Sequence, residues 1–252
     1  MKTKVAMLSE NAVDKRIIND AALKIRDGGI VAFPTETVYG LGADALNEKA
    51  VAKIFEAKGR PQDNPLIIHV ADFNIDEYVT EVPDMAKDIM QKFWPGPITI
   101  ILNKKEIVPS ITSAGLDTIG IRMPQNNIAR ELIKASGVPI AAPSANISGR
   151  PSPTDMESCV EDLDGKVDYI IGGENSIVGV ESTIVDCTVN PICVLRPGAV
   201  TLEMLQTVDS NAYIDPAILS KPKEDFRPKA PGMKYRHYAP KAPVKIVSGE
   251  ID

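Results

Sequence analysis

The chain has 252 residues, 44% of them hydrophobic and 25% charged. That is enough apolar material for one large domain or two small ones, and the formal charge of −6 speaks against a generic nucleic-acid binder. No apolar run approaches the ~20 residues that span a bilayer, and the start MKTKVAMLSE has no apolar stretch after its lysines, so no membrane association and a cytoplasmic location are expected. Cys159, Cys187 and Cys193 show no C-x-x-C spacing, which predicts buried thiols rather than a disulfide framework or a zinc site. The charge is uneven: from Lys221 to Lys245 there are eight basic and two acidic residues, a +6 window that leaves −12 on the remainder. Such a segment either meets an anion or is a solvated tail.

Along the chain, AVDKRIINDAALKIRDGG has Ile18, Ala21, Ala22 and Ile25 at helical spacing and stops at Gly28-Gly29. IVAFP reads as a short buried strand. NEKAVAKIFEAKG reads as a helix capped by Asn47, with Val51, Ile54 and Phe55 inward and Lys58 continuing that face at the last turn. PLIIHV is a strand, DMAKDIMQKFW a helix, PITIIL and TIGIRMP strands, NNIARELIKASG a helix ending at Gly137, and PIAAP a strand. TDMESCVEDL opens on a capping box, Thr154-x-x-Glu157. YIIGG, STIVDCT and CVLRP are further strands, followed by a short helix from Thr201. The pattern predicts an α/β or α+β domain over residues 1–208 with a mixed sheet. Residues 209–252, interrupted by six prolines from Pro216 to Pro243, are expected to be a Pro-rich basic linker or arm.

GLGADA satisfies G-x-G-x-x-G/A only formally, because Gly40 lies six residues beyond the strand that ends at Pro34 and no tight strand-to-helix turn follows. A P-loop, G-x-S-x-G and H-E-x-x-H are all missing from the sequence, and no carboxylate cluster suggests a structural metal. Polar residues gather instead where strands end: Thr35, Glu36, Thr37 and Tyr39 after IVAFP, Ser144, Asn146, Ser148 and Ser152 after PIAAP, Ser182 and Thr183 in VESTIVD. TIGIRMP puts Gly120 and Arg122 on one face of an apolar strand, where a guanidinium needs an anionic partner. Singly, these residues read as turn formers, a structural ion pair and a core histidine at His69. Together, Lys58, Arg60, Arg122 and Arg196 beside hydroxyl-rich loops suggest a site for a polyanion such as a nucleoside triphosphate.

FPTETVYGLG, KGRPQDNPLIIHV, FWPGPITIIL, TIGIRMP, APSANISGRPSPT, GVESTIVD and LRPGAV, in this order over roughly residues 12–206, resemble the YrdC-type threonylcarbamoyl-AMP synthases. PGMKYRHYAPKAPV looks like the linker of the longer members, whose following Rossmann-like domain is expected to be absent here. The resemblance implies a YrdC/RibB-like fold, a twisted mixed sheet flanked by helices around a concave cavity. It implies synthesis of L-threonylcarbamoyl-AMP and pyrophosphate from L-threonine, bicarbonate or CO2, and ATP, with Mg2+ carried on the phosphates. The product would feed a downstream tRNA-modifying transferase, with at most weak contact to tRNA. By resemblance Lys58 and Arg60 are the catalytic cations on the ATP phosphates. Asn64, Thr118, Ser144, Asn146, Ser152 and Arg196 would complete the ATP site, and Tyr235 would touch ATP from the folded-back linker. Thr37, His69, Arg122, Ala142 and Ser182 would surround threonine, with Arg122 on its carboxylate.

Catalysis would then be positioning plus electrostatic stabilisation, with the basic arm as a lid over a short-lived carbamate. Two other readings stay open: a non-catalytic module for double-stranded RNA, which the −12 body disfavours, and a carbamoyl-phosphate-dependent nucleotidyltransferase like the YrdC-like part of hydrogenase-maturation proteins.

Overall fold

Helices form in this chain where apolar residues recur every three or four positions and a polar side chain closes the first turn. A computed structural model describes residues 2–219 and 228–231. In chain order the elements are β1 (Lys4–Met7), α1 (Lys15–Arg26), β2 (Val31–Phe33), β3 (Gly40–Asp44), α2 (Glu48–Lys58), β4 (Ile67–His69) and α3 (Asp84–Phe93). Then come β5 (Ile98–Asn103), α4 (Ser110–Ser113), β6 (Thr118–Arg122), α5 (Asn127–Ser136) and β7 (Ile140–Ala141). The chain continues with α6 (Met156–Leu163), β8 (Tyr169–Gly172), β9 (Thr183–Asp186), β10 (Cys193–Arg196), α7 (Leu202–Gln206), β11 (Tyr213–Ile214) and a final 3-10 turn, Pro216–Leu219.

Caps set the boundaries. Asn47 accepts from Lys49 N and Ala50 N at the start of α2, and Asn126 and Thr201 do the same for α5 and α7. At α6 the expected capping box gives way to a single Asp cap: Asp155, one residue beyond Thr154, accepts from Ser158 N at 2.8 Å. The short carboxylate reaches the orphan amides directly, which leaves Thr154 outside the helix.

The described strands form one eleven-stranded sheet ordered β1-β8-β2-β3-β7-β4-β6-β5-β9-β10-β11. It is mixed: β8 pairs in parallel with β1 and β2, β4 with β6 and β5 with β9, while β3 is antiparallel to both β2 and β7. Three strands escape the period-2 reading. The first, β1, is largely exposed at an edge, β11 is two residues long, and β3 is the GLGAD segment, rich in residues that disfavour strands. Pairing on both sides makes a strand of β3 regardless, and this is also why GLGADA is no phosphate loop.

Alternation along the central strands divides the sheet into two faces. Ile68, Ile100, Ile121, Val185 and Val194 point into the main core with Val51, Ile54 and Ile89 of the helices. A second core packs α1 and α5 against the other end of the sheet through Ile18, Ile25, Leu132 and Phe33. The opposite face of the central strands carries Ile67, Ile101, Ile184 and Leu195, and on these lies Ala230 from the C-terminal segment. His69 and Arg122 are cross-strand partners two residues beyond the Ile67–Gly120 pair, so they share this concave face. All three cysteines are buried and free, and burial pushes the Cys159 and Cys187 thiols up to about 12. Among the described residues no helix is long and apolar enough to cross a membrane.

Candidate active site

The concave face opens into a cavity walled by the β2–β3 loop, the C-terminal ends of β4 and β6, the loop after β7, and the start of β9. Its lining includes Thr35, Thr37, Arg60, His69, Arg122, Ala142, Ser144, Asn146, Arg150, Ser152, Glu181, Ser182, Arg196 and Pro231. Four guanidinium groups and one carboxylate therefore share this wall among the described residues.

At the inner end Arg122 is buried and bonded on three sides. It donates to Glu36 Oε1 at 2.7 Å, to Thr37 Oγ1 at 2.9 Å and, through Nε, to the Gly96 carbonyl at 3.4 Å. Glu36 is the anionic partner that the apolar strand demands, 86 residues away in sequence. Its other carboxylate oxygen, Oε2, is buried and accepts no hydrogen bond among the described residues. Beside the pair, His69 lies edge-on to Phe33 and approaches the Ile67 carbonyl through Nδ1 at 3.2 Å. Burial, reinforced by the Arg122 charge, pushes His69 down to about 3, so the imidazole is neutral.

At the mouth, Arg196 donates to Ser182 O at 2.9 Å, Ser182 Oγ at 3.0 Å and Pro231 O at 3.4 Å. Ser182 also shares a 2.8 Å hydrogen bond with Thr99, and Ser152 donates to Glu181 at 2.5 Å. Arg60 leans back on the Asn64 and Pro65 carbonyls at 3.4 and 3.2 Å. Arg150 pairs with Asp162, whose other oxygen accepts from Ile147 N at 2.9 Å. Gly198 lets the chain leave β10 here, since a Cβ would stand 2.6 Å from Thr183 N and 2.7 Å from Glu181 O.

The expected threonine set, Thr37, His69, Arg122, Ala142 and Ser182, is gathered on this wall, as are Arg60, Ser144, Asn146, Ser152 and Arg196. Three expected residues stand elsewhere. Thr118 opens β6 opposite Asn103, four residues and about 13 Å along the strand from Arg122. Asn64 is buried behind Arg60 with Oδ1 accepting nothing among the described residues. Lys58 is 2% exposed, and its ammonium meets the Ser144 and Asn146 carbonyls at 2.5 Å each instead of the cavity. Burial, with the neighbouring Arg60 charge, holds its pKa well below the ordinary lysine value. The sequence reading had its inward direction right but not what lies inward of it. Tyr235 lies outside the described residues. The wall also holds Arg150 and Glu181, which the sequence reading passed over although both stand inside the hydroxyl-rich segments it singled out.

A family model described as "Telomere recombination" (Sua5/YciO/YrdC) matches residues 24–198, and one described as "Threonylcarbamoyl-AMP synthase, C-terminal domain" matches residues 200–252. Threonylcarbamoyl-AMP synthase of Pyrococcus abyssi is 53% identical over 236 residues, 93% of this chain and 69% of that protein. The chain belongs to the threonylcarbamoyl-AMP synthase family. It is thus an enzyme of the nucleotidyltransferase type. The Bacillus subtilis member is 48% identical over 99% of this chain and 72% of its own. The solved structure of P. abyssi Sua5 complexed with L-threonine superposes with a TM-score of 0.91 at 51% identity, covering 95% of this chain and 70% of that one. Escherichia coli YciO, at 27% identity and a TM-score of 0.69, covers 78% of this chain and 96% of its own. The match over residues 200–252 overturns the expectation that the C-terminal domain is absent: a basic, proline-broken composition looked like linker alone, yet it belongs to the family's C-terminal domain.

Proposed function

We propose that the cavity is where this synthase joins L-threonine, CO2 or bicarbonate, and ATP into L-threonylcarbamoyl-AMP, with threonine at the Arg122–His69 end and the nucleotide at the Arg60–Arg196 end. The observation that carries this reading is four guanidiniums converging with hydroxyls on one wall, an arrangement suited to a carboxylate at one end and phosphates at the other. Arg122 uses three of its five N–H groups on the protein, which leaves two for the threonine carboxylate. The neutral His69 and the hydroxyls of Thr37 and Ser182 suit the amino and hydroxyl groups of threonine by hydrogen bonding, without charge competition.

In the reaction the threonine nitrogen bonds to the carbon of CO2 and gives up a proton. A carbamate oxygen then attacks the α-phosphorus of ATP, and the bond to pyrophosphate breaks. No covalent enzyme intermediate is required. Arg60 and Arg196, with Arg150 released from Asp162, would neutralise charge on the departing pyrophosphate. The metal arrives with its substrate as MgATP. No group of three or more ligating side chains forms a cage among the described residues, whereas Glu181 places a carboxylate beside the cations and fits the metal's hydration shell. Residues 228–231 support the lid reading of the arm: Ala230 is fully buried on the cavity-face cluster, Lys229 reaches Asp186 at 3.6 Å, and Pro231 joins the wall. The product is proposed to pass in the cytoplasm to a tRNA-modifying transferase.

The test is pyrophosphate release from ATP with threonine and bicarbonate omitted in turn, alongside mass detection of the adenylate. Release that needs both supports the assignment. Release without threonine, or dependence on carbamoyl phosphate, means another substrate occupies the inner end.

A further inference from the structure

We propose that Lys58 serves the reaction as a positioning residue, fixing the backbone of the 144–150 loop, and that its ammonium does not meet a phosphate. The inference rests on the nucleotide end of the cavity proposed above. It starts from α2, which ends at Lys58 because Gly59 takes a left-handed φ of 59° and turns the chain away. The lysine side chain crosses to the loop, and Nζ donates to the Ser144 and Asn146 carbonyls, both at 2.5 Å. The backbone of the same residue grips the loop again, since the Lys58 carbonyl accepts from Ser148 N at 2.9 Å. One residue thus holds a five-residue stretch at three points.

The loop's own side chains complete the framework. Asn146 accepts from Ser144 Oγ at 2.5 Å and donates to the Ile147 and Arg150 carbonyls at 2.9 and 2.8 Å, so both N–H groups of its amide are engaged inside the loop. Asp162 secures Ile147 N from below. Of the four expected nucleotide contacts Lys58, Arg60, Ser144 and Asn146, Lys58 alone is therefore absent from the cavity wall, which the other three line. Two of the three ammonium N–H groups are taken by the carbonyls, and because Lys58 is only 2% exposed a phosphate reaching the third would have to open the loop packed over it. The arrangement shapes the phosphate end before any ligand arrives, the kind of preorganisation that lowers the cost of binding.

The two roles make opposite predictions in ligand-free protein. Lys58→Met keeps the stem and removes the ammonium. Hydrogen exchange on the full chain without nucleotide should show the amides of Ala145, Ile147 and Ser148 opening at least ~10-fold faster, with α1 and α5 unchanged. The KM for ATP should rise while the KM for threonine holds. Lys58→Arg should fail to restore it, because a planar guanidinium does not fit a site closed around one ammonium. Unchanged loop exchange with lost ATP affinity, or rescue by arginine, would overturn the proposal in favour of a direct phosphate contact. Should Lys58→Met open the whole fold, the unsubstituted protein decides: with 15N-labelled lysine, the Lys58 amine signal should stay in place on adding MgATP, and a shift of that signal overturns the proposal. Loss of loop protection in a protein that releases no pyrophosphate would leave the clamp standing and sink the functional reading alone.

Discussion

Lys58, at the end of α2, and Arg122, at the end of β6, are both buried cations, yet they are stabilised in opposite ways. Arg122 stays charged and is met by a carboxylate, Glu36, at 2.7 Å. Among the described residues the hydrogen-bond partners of the Lys58 side chain are backbone carbonyls, and its pKa is driven down by burial and by Arg60. A guanidinium cannot discharge, so the strand that buries it must supply an anion; an ammonium can yield its proton, so a pair of carbonyls suffices. The inner end of the cavity is therefore an ion pair with donors left for a ligand, and the outer end a hydrogen-bonded frame whose own lysine is buried against two loop carbonyls.

The sharpest break of this contrast is Glu36→Gln, which leaves the buried Arg122 without its counter-charge. A loss of about 3–5 kcal/mol is expected, read from denaturant unfolding, and L-threonine should recover part of it by presenting a carboxylate to the same guanidinium. A variant as stable as the parent would mean that Arg122 finds its compensation elsewhere. Next in size is the acid response of His69. Its folded value is depressed to about 3 against an ordinary 6.5, so the unfolded chain takes up a proton first as the pH falls. Its contribution is fully present above pH 6.5 and is lost on the way down to about 3, at up to about 1.4 kcal/mol per pH unit. His69→Gln should flatten the stability profile over that window relative to the parent. Parallel profiles would show that the imidazole takes up its proton equally in the folded and the unfolded chain.

How much of this was legible depends on the range of the interaction. Helices announced by period and cap, such as α2 from Asn47 to Gly59, were readable because their causes are local. The strand β3 was not, because Gly40–Asp44 is extended only through its neighbours β2 and β7. The same divide runs through the site. That Arg122 needs an anion follows from its strand, but that the anion is Glu36 depends on how the chain folds back. Lys58 was correctly read as facing inward from α2, whereas the loop it faces is brought there by β7. Arg150 and Glu181 went unnoticed although a charged residue inside a hydroxyl-rich loop was signal enough. The basic, proline-broken tail reads as a linker without its domain, because composition does not carry membership of a family domain.

At the outer end, Arg60→Ala should cost about 100-fold in turnover, roughly the value of one preorganised charge donor in a water-poor site, while stability moves little. Equal loss from Lys58→Met and Arg60→Ala, each with undisturbed loop exchange, would erase the distinction between frame and ligand contact. The smallest effect concerns the C-terminal segment. Ala230 is fully buried against Ile67, Ile101, Ile184 and Leu195, on the face that also carries the cavity. Ala230→Asp places a carboxylate in that apolar cluster, and the cheapest response is for the segment to leave the sheet rather than for the sheet to unfold. The KM for ATP should then rise a few-fold as Pro231 withdraws from the wall and from Arg196, with global stability changed by no more than about 1 kcal/mol. Unchanged kinetics would reduce the segment to a passive cover and leave closure of the cavity to other residues.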